Sequence, residues 1–207
     1  MKMFLIFKDF AGPIDGMTLL DVGATPDVER LDSNCMIPWY RELGLRVSLY
    51  SPEDIHHLES VFKPVTIILA SGFGKPIPVS DRSFDWVSSA AVLEHVGSRD
   101  KQRDFIRDSA RVGDGLFITT PNRSHWLEFH TKLPLIHWLP AGLHRRLLKR
   151  MGLELWANEG HLNLLTKRGL MALASDALGD DFSWCVRTIW TLGMPSNLIL
   201  LARRKGR

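Results

Sequence analysis

The chain has 207 residues, 45% of them hydrophobic and 24% charged, with a formal net charge of +3. That is enough apolar material for a sizeable core in one domain, residues 1–207, and an ordinary globular balance. No apolar run reaches the length of a membrane span, and so small a net charge, even with a pI near 9.0, does not point to nucleic acid.

At the start, MKMFLIFKDF has an apolar core only from Met3 to Phe7, ended by Lys8 and Asp9 without a small-residue cleavage site, so export is not expected. Lys2 to Phe10 fits a short helix or an edge strand. Gly12-Pro13 and Asp15-Gly16 mark a turn. Met17 to Val22 then reads as a buried strand that stops at Gly23, where the missing Cβ lets the backbone turn and approach a ligand closely. Pro26 biases Thr25 towards an extended conformation.

Pro38 shortens any helix within 32–43, and Leu45 to Tyr50 reads as the second strand. Ser51-Pro52-Glu53-Asp54 has the hydroxyl, proline and acids of a helix start, with the helix expected to reach Phe62. Val65 to Ala70 (VTIILA) reads as a buried third strand, followed by a glycine-rich loop from Ser71 to Lys75. Phe84 to Ser88 is the fourth strand, and Ala90 to Val96 starts a short helix. Ser98 caps a longer helix with Phe105, Ile106, Ser109 and Val112 on one face, ended by Gly113. Leu116 to Thr120 is the fifth strand.

Thr166 caps a helix bearing Leu170, Leu173, Ala174 and Ala177 on one face. Phe182 to Leu192 and Asn197 to Ala202 read as a terminal hairpin joined by Gly193-Met194-Pro195-Ser196. The alternation of strand, loop and helix implies an α/β fold: a doubly wound, mostly parallel seven-stranded sheet with a C-terminal antiparallel hairpin. Ligands in such sheets sit beyond the carboxyl ends of the strands, near the switch point.

Three blocks then carry a resemblance. LLDVG at Leu19 to Gly23, DRSFDWVSSAAVLEHV at Asp81 to Val96 and FITTPNR at Phe117 to Arg123 resemble the first, fourth-strand and fifth-strand motifs of class I S-adenosylmethionine-dependent methyltransferases. EFHTKLPLIHWLP at Glu128 to Pro140 is similar to bacterial members of the quinone and small-molecule methylating branch. The likeness spans roughly Met17 to Arg203. It implies S-adenosylmethionine as cofactor and methyl transfer to a small-molecule or lipid-linked acceptor.

By the same resemblance, Asp21, Gly23, Ala24 and Thr25 serve the methionine end. Tyr50 and Ser51 meet the ribose, Ser71 and Gly72 flank the adenine, and Ser89 and Ala90 lie beside the methionine. The chain departs from the family in its first loop, which carries one glycine and Pro26. It also lacks the acids usual after the second and third strands, where Tyr50-Ser51 and Ser71 stand. Two lost carboxylates remove two charge-assisted hydrogen bonds. The alternative reading is therefore a catalytically degenerate binding module, with its cleft filled by Phe73, Tyr50 or a lid. A nicotinamide dehydrogenase is disfavoured because no GxGxxG follows the first strand.

Glu94 and His95 face the expected cleft, and with His130 they are the candidate acid–base residues. His125, His130 and His137, with Glu128 among them, are spaced by five and seven. No two stand at the i,i+4 of a helical zinc pair, so no metal is expected. Residues 123–160 form an insertion that fits a wall or lid over the acceptor, with Trp126 and Trp138 nearest it. Within it, Leu143, Leu147, Leu148 and Met151 fill one helical arc, and Arg145, Arg146, Lys149 and Arg150 the opposite one. The basic arc is expected to be solvent-exposed, and 141–151 is a candidate for weak contact with an anionic membrane surface. Cys35 and Cys185, the only two cysteines, lie in no metal or redox spacing, which suits a reducing cytoplasm.

Overall fold

The computed structural model describes residues 2–30, 33–70 and 74–206. Its strands are β1 (Thr18–Val22), β2 (Arg46–Ser51), β3 (Thr66–Leu69), β4 (Phe84–Ala90), β5 (Gly113–Pro121), β6 (Phe182–Thr191) and β7 (Met194–Arg204). They form one seven-stranded sheet in the order β3-β2-β1-β4-β5-β7-β6. The first five pair in parallel, and β7 runs antiparallel to β5 and β6. The expected doubly wound sheet with a terminal hairpin is the architecture observed. The helices are α1 (Lys2–Ala11), α2 (Ile37–Glu42), α3 (Leu58–Val61), α4 (Arg99–Val112), α5 (Ala141–Arg150), α6 (Glu154–Ala157) and α7 (Lys167–Leu178).

Side chains alternate across the sheet, so each strand feeds two cores. One face sets Leu20, Val22, Val87, Leu116 and Ile118 against Ile106 of α4 and Leu170 and Ala174 of α7. The other sets Leu19, Leu49, Trp86 and Phe117 against Phe7 of α1 and Ile37 and Tyr40 of α2. The first segment is thus a helix. Phe7 anchors it, with ring centroids 5.1 Å from Trp86 and 4.9 Å from Phe117. Ser98 and Thr166 cap α4 and α7 through hydrogen bonds accepted from the Lys101 and Gly169 amides.

Several elements differ from the sequence expectation. β3 is the sheet's edge rather than a buried strand, and Leu69 is 64% exposed. A β-branched apolar run does not distinguish a centre from an edge. The helix expected from Ser51 to Phe62 shrinks to α3, because Ser51 ends β2 instead of capping a helix. The Ser51 hydroxyl accepts from the Glu53 amide and the Asp54 carboxylate from the His56 amide, and these local bonds compete with a helical turn. β4 runs on to Ala90, leaving only a 3₁₀ turn at Leu93–His95. β5 begins at Gly113 itself, directly after α4. The hairpin turns at Leu192-Gly193, both at positive φ (50° and 75°), and Pro195 is taken up beside a bulge in β7.

α5 forms as expected, but only His144 and Leu148 are buried on it, and Leu143 is 48% exposed. Arg146, Lys149 and Arg150 are exposed. Arg145 is half-buried, 3.5 Å from the Glu159 carboxylate. Among the described residues no helix is long and apolar enough to cross a membrane.

Candidate active site

β1 lies between β2 and β4, so the connections on its two sides diverge and leave a crevice at the strands' carboxyl ends. Gly23 forms its floor at φ 97°, and its amide donates to the Tyr50 carbonyl at 2.8 Å. A Cβ there would lie 2.3 Å from a Val92 methyl, so neither the backbone angle nor the space admits another residue. The crevice opens into a cleft of about 970 Å³, bounded by Gly23, Tyr50, Pro76, Val92, His95 and Phe105. This is the size of a small-molecule site.

Of the residues expected to hold a cofactor, Gly23 and Tyr50 line the cleft. Ala24 is buried in the α1–α2 core. The Thr25 turn is clamped by Asn34, whose side chain accepts from the Thr25 amide at 3.0 Å and donates to its carbonyl at 2.8 Å. Ser51 is buried at the end of β2. Ser89 is fully buried and donates to the Val22 carbonyl at 2.9 Å, tying the ends of β4 and β1 together. After Ala90, Ala91 takes the left-handed conformation at φ 56°, uncommon for a residue with a Cβ and frequent at functional sites. Ser71, Gly72 and Phe73 lie outside the described residues.

Asp21 is buried beside Ser88, its register partner across β1 and β4. The Ser88 hydroxyl is in turn hydrogen bonded to that of the buried Tyr40. Burial pushes the Asp21 carboxyl up to about 6, with the Ser88 hydroxyl offsetting part of the rise. Its Oδ1 has no hydrogen-bond partner among the described residues. A buried acceptor of this kind calls for an explanation.

The three candidate acid–base residues come together at the edge of the cleft. Glu94 is fully buried, and its Oε2 accepts from the Thr120 hydroxyl at 2.9 Å. Burial raises its carboxyl, against the opposing pull of His95, Thr120 and His130. Its Oε1 lies 3.8 Å from His95 Nε2 and has no hydrogen-bond partner among the described residues. His95 Nε2 and His130 Nε2 are 3.0 Å apart, with the rings edge to face. One donor atom from each of Glu94, His95 and His130 lies within 4.8 Å of the others.

Both imidazoles are held from behind. His95 Nδ1 is 2.6 Å from the His161 carbonyl, and His130 Nδ1 is 2.7 Å from Glu128 Oε1. Burial alone would raise Glu128, but bonds from His130 and Thr131 hold its carboxyl at about 2. Trp156 packs on both imidazoles, at 5.1 Å from the His130 ring centroid. Sequence reasoning named these three residues as acid–base candidates. It missed Trp156, the His161 carbonyl and Thr120, and it treated Glu128 as a candidate ligand instead of His130's partner. Nothing in the local pattern marks the contacts of Trp156, the His161 carbonyl and Thr120, made 26 to 66 residues apart. Trp126 and Trp138, expected near the acceptor, are 42% and 50% exposed. His137 Nε2 lies 2.7 Å from the His125 carbonyl instead, and the His125 ring bonds to Leu127.

Neither a protein-family model nor a curated protein sequence matches the chain. Solved structures do. An S-adenosylmethionine-dependent methyltransferase from Mesorhizobium loti is 14% identical with a TM-score of 0.64, over 97% of this chain and 96% of that one. A Rhodobacter sphaeroides protein described as a zinc-dependent alcohol dehydrogenase is 14% identical with a TM-score of 0.65, over 99% and 90%. The magnesium protoporphyrin IX methyltransferase of Synechocystis, solved with S-adenosylhomocysteine, is 15% identical with a TM-score of 0.58, over 99% and 81%.

Proposed function

We propose that this chain, which has the fold of the class I S-adenosylmethionine-dependent methyltransferases, binds that cofactor and transfers its methyl group to a small-molecule acceptor. The observation that carries the reading is the open cleft of about 970 Å³ beyond β1 and β2, floored by Gly23. An open cleft of cofactor size counts against the reading as a degenerate binding module. The dehydrogenase reading lacks a glycine fingerprint, since Gly23-Ala24-Thr25-Pro26 follows β1.

In this reading Asp21 Oδ1, without a hydrogen-bond partner among the described residues, accepts from the cofactor's α-ammonium beside the Gly23 to Thr25 turn. Tyr50 and Ser51 lie on the ribose side, and Ser89 and Ala90 frame the methionine. Much of the rate comes from aiming the methyl in line at its nucleophile, since aligned reactants gain several orders of magnitude. The Glu94, His95 and His130 cluster at the cleft edge is the acceptor side, where a proton leaving the nucleophile would be handled. The single domain's 123–160 segment carries His130 and Trp156 over that side. The acceptor is assigned only by class, as a small or lipid-linked molecule, in a cytoplasmic protein with no nucleic-acid partner.

Isothermal titration with S-adenosylhomocysteine and S-adenosylmethionine tests this directly. Saturable heat with one site per chain is expected, together with a raised melting temperature. Folded protein that gives neither heat nor a thermal shift with either ligand overturns the proposal.

A further inference from the structure

We infer that Glu94, His95 and His130 form a binding site for a divalent first-row transition metal ion at the edge of the cleft. The inference concerns the same cluster as the proposed acceptor side, but it stands on side-chain geometry and does not depend on methyl transfer.

The proton positions follow from the partners. The His161 carbonyl only accepts, so His95 Nδ1 carries hydrogen towards it. Glu128 accepts from the His130 amide at Oε1 and from the Thr131 amide and hydroxyl at Oε2, so both its oxygens act as acceptors and His130 Nδ1 carries hydrogen towards Oε1 as well. In the neutral imidazoles both Nε2 atoms then present lone pairs, and these face each other at 3.0 Å. Two lone pairs meet at that distance only with a cation between them. A shared proton would settle the two nitrogens, but it would leave Glu94 Oε1 buried with no hydrogen-bond partner among the described residues. A metal ion settles all three atoms together.

The dimensions suit an ion. A tetrahedral centre with bonds of about 2.0–2.1 Å separates its ligands by about 3.4 Å. Here the separations are 3.0 Å between the two nitrogens and 3.8 Å from His95 Nε2 to Glu94 Oε1, so small movements of the half-buried rings complete the geometry. The surroundings match the usual supports of metal ligands: a carboxylate behind one imidazole, a backbone carbonyl behind the other, and a hydroxyl on the ligating carboxylate. Two imidazoles and one carboxylate are a donor set for zinc or iron(II) and leave at least one position open. His95 is a cleft residue, so that open position adjoins the cleft.

The test uses tag-free full-length protein, stripped with chelator and titrated with Zn(II) and Co(II) without any cofactor present. One equivalent of metal retained after desalting is expected, with the Co(II) form showing the visible absorption of a low-symmetry nitrogen–oxygen site. His130→Ala should weaken binding at least 100-fold. Glu128→Gln leaves all three ligands in place and should weaken it about 10-fold through loss of the oriented imidazole. His95→Asn, at a partly exposed ring, provides an independent ligand variant if His130→Ala misfolds. Failure of the folded wild-type protein to retain either metal overturns the inference and leaves the pair sharing a proton. Unchanged affinity in folded His130→Ala or His95→Asn protein places the metal elsewhere and overturns it equally.

Discussion

Asp21→Asn should make the free protein more stable at neutral pH while weakening its hold on the cofactor. The folded chain keeps the Asp21 carboxyl at about 6 against an ordinary value of 3.8, because burial disfavours the anion. Below the ordinary value both states hold the proton and the group costs nothing. As pH rises from the ordinary value to the folded one, the unfolded chain releases its proton while the folded chain still holds it, so stability is lost between about pH 4 and pH 6. At about 1.4 kcal/mol per tenfold, the full loss is about 3 kcal/mol above that window.

Asparagine removes the charge and keeps the shape, so the variant should gain up to about 3 kcal/mol at pH 7.5 and nothing at pH 4. For a domain of this size that is roughly 2–4 °C per kcal/mol in melting temperature. The neighbours that face this carboxyl, Tyr40 and Ser88, do not ionise in that range: Tyr40 is held well above its ordinary value by burial. Urea unfolding of both proteins at four pH values reads the effect. If Asp21 receives an ammonium, losing that charge-assisted bond costs about 1.5–3 kcal/mol of binding, a drop of roughly 10- to 150-fold by titration. Equal stability across the pH series would refute the buried-anion argument, and undiminished cofactor affinity would refute the role given to Asp21.

Gly115→Ala should destabilise the fold by about 1–3 kcal/mol, as overpacked cores do, because its Cβ would lie 2.5 Å from the Trp86 ring; urea midpoints measure this, and an unchanged midpoint would contradict the packing described. If α5 meets anionic membranes, the wild-type protein should sediment with anionic but not neutral vesicles at low salt. Each basic side chain near such a surface is worth about 1 kcal/mol. The effect should fade as the Debye length shrinks and be absent in a variant with Arg145, Arg146, Lys149 and Arg150 changed to Gln; equal sedimentation of the two proteins leaves α5 an ordinary solvated surface.

The sheet was legible in the sequence because its inner strands are buried on both faces, and burial writes apolar runs into the chain, such as Leu116 to Ile118 and Leu19 to Val22, the latter broken only by Asp21. Gly23 was legible as a turn for the same kind of reason: the backbone there excludes every other residue. The two hydroxyl caps were also local facts, settled within three residues of Ser98 and Thr166. What stayed hidden was set at longer range. Whether Val65 to Ala70 lies at the centre or the edge depends on which strands flank it, and that is a property of the whole sheet. Whether Ser51 caps a helix or ends a strand was decided by competition between hydrogen bonds of similar strength.

The cluster at the cleft shows the division most clearly. Glu94, His95 and His130 could be named from residue type and from resemblance, but spacing within the 125–137 segment argued against a metal. The pairing that changes the chemistry joins His95, just after β4, to His130, beyond β5. The sheet brings those two strand ends side by side. Only that adjacency points two imidazole lone pairs at each other beside a carboxylate oxygen, Glu94 Oε1, that has no partner among the described residues, because a lone pair's direction is fixed by what holds the other side of the ring: here the His161 carbonyl and Glu128.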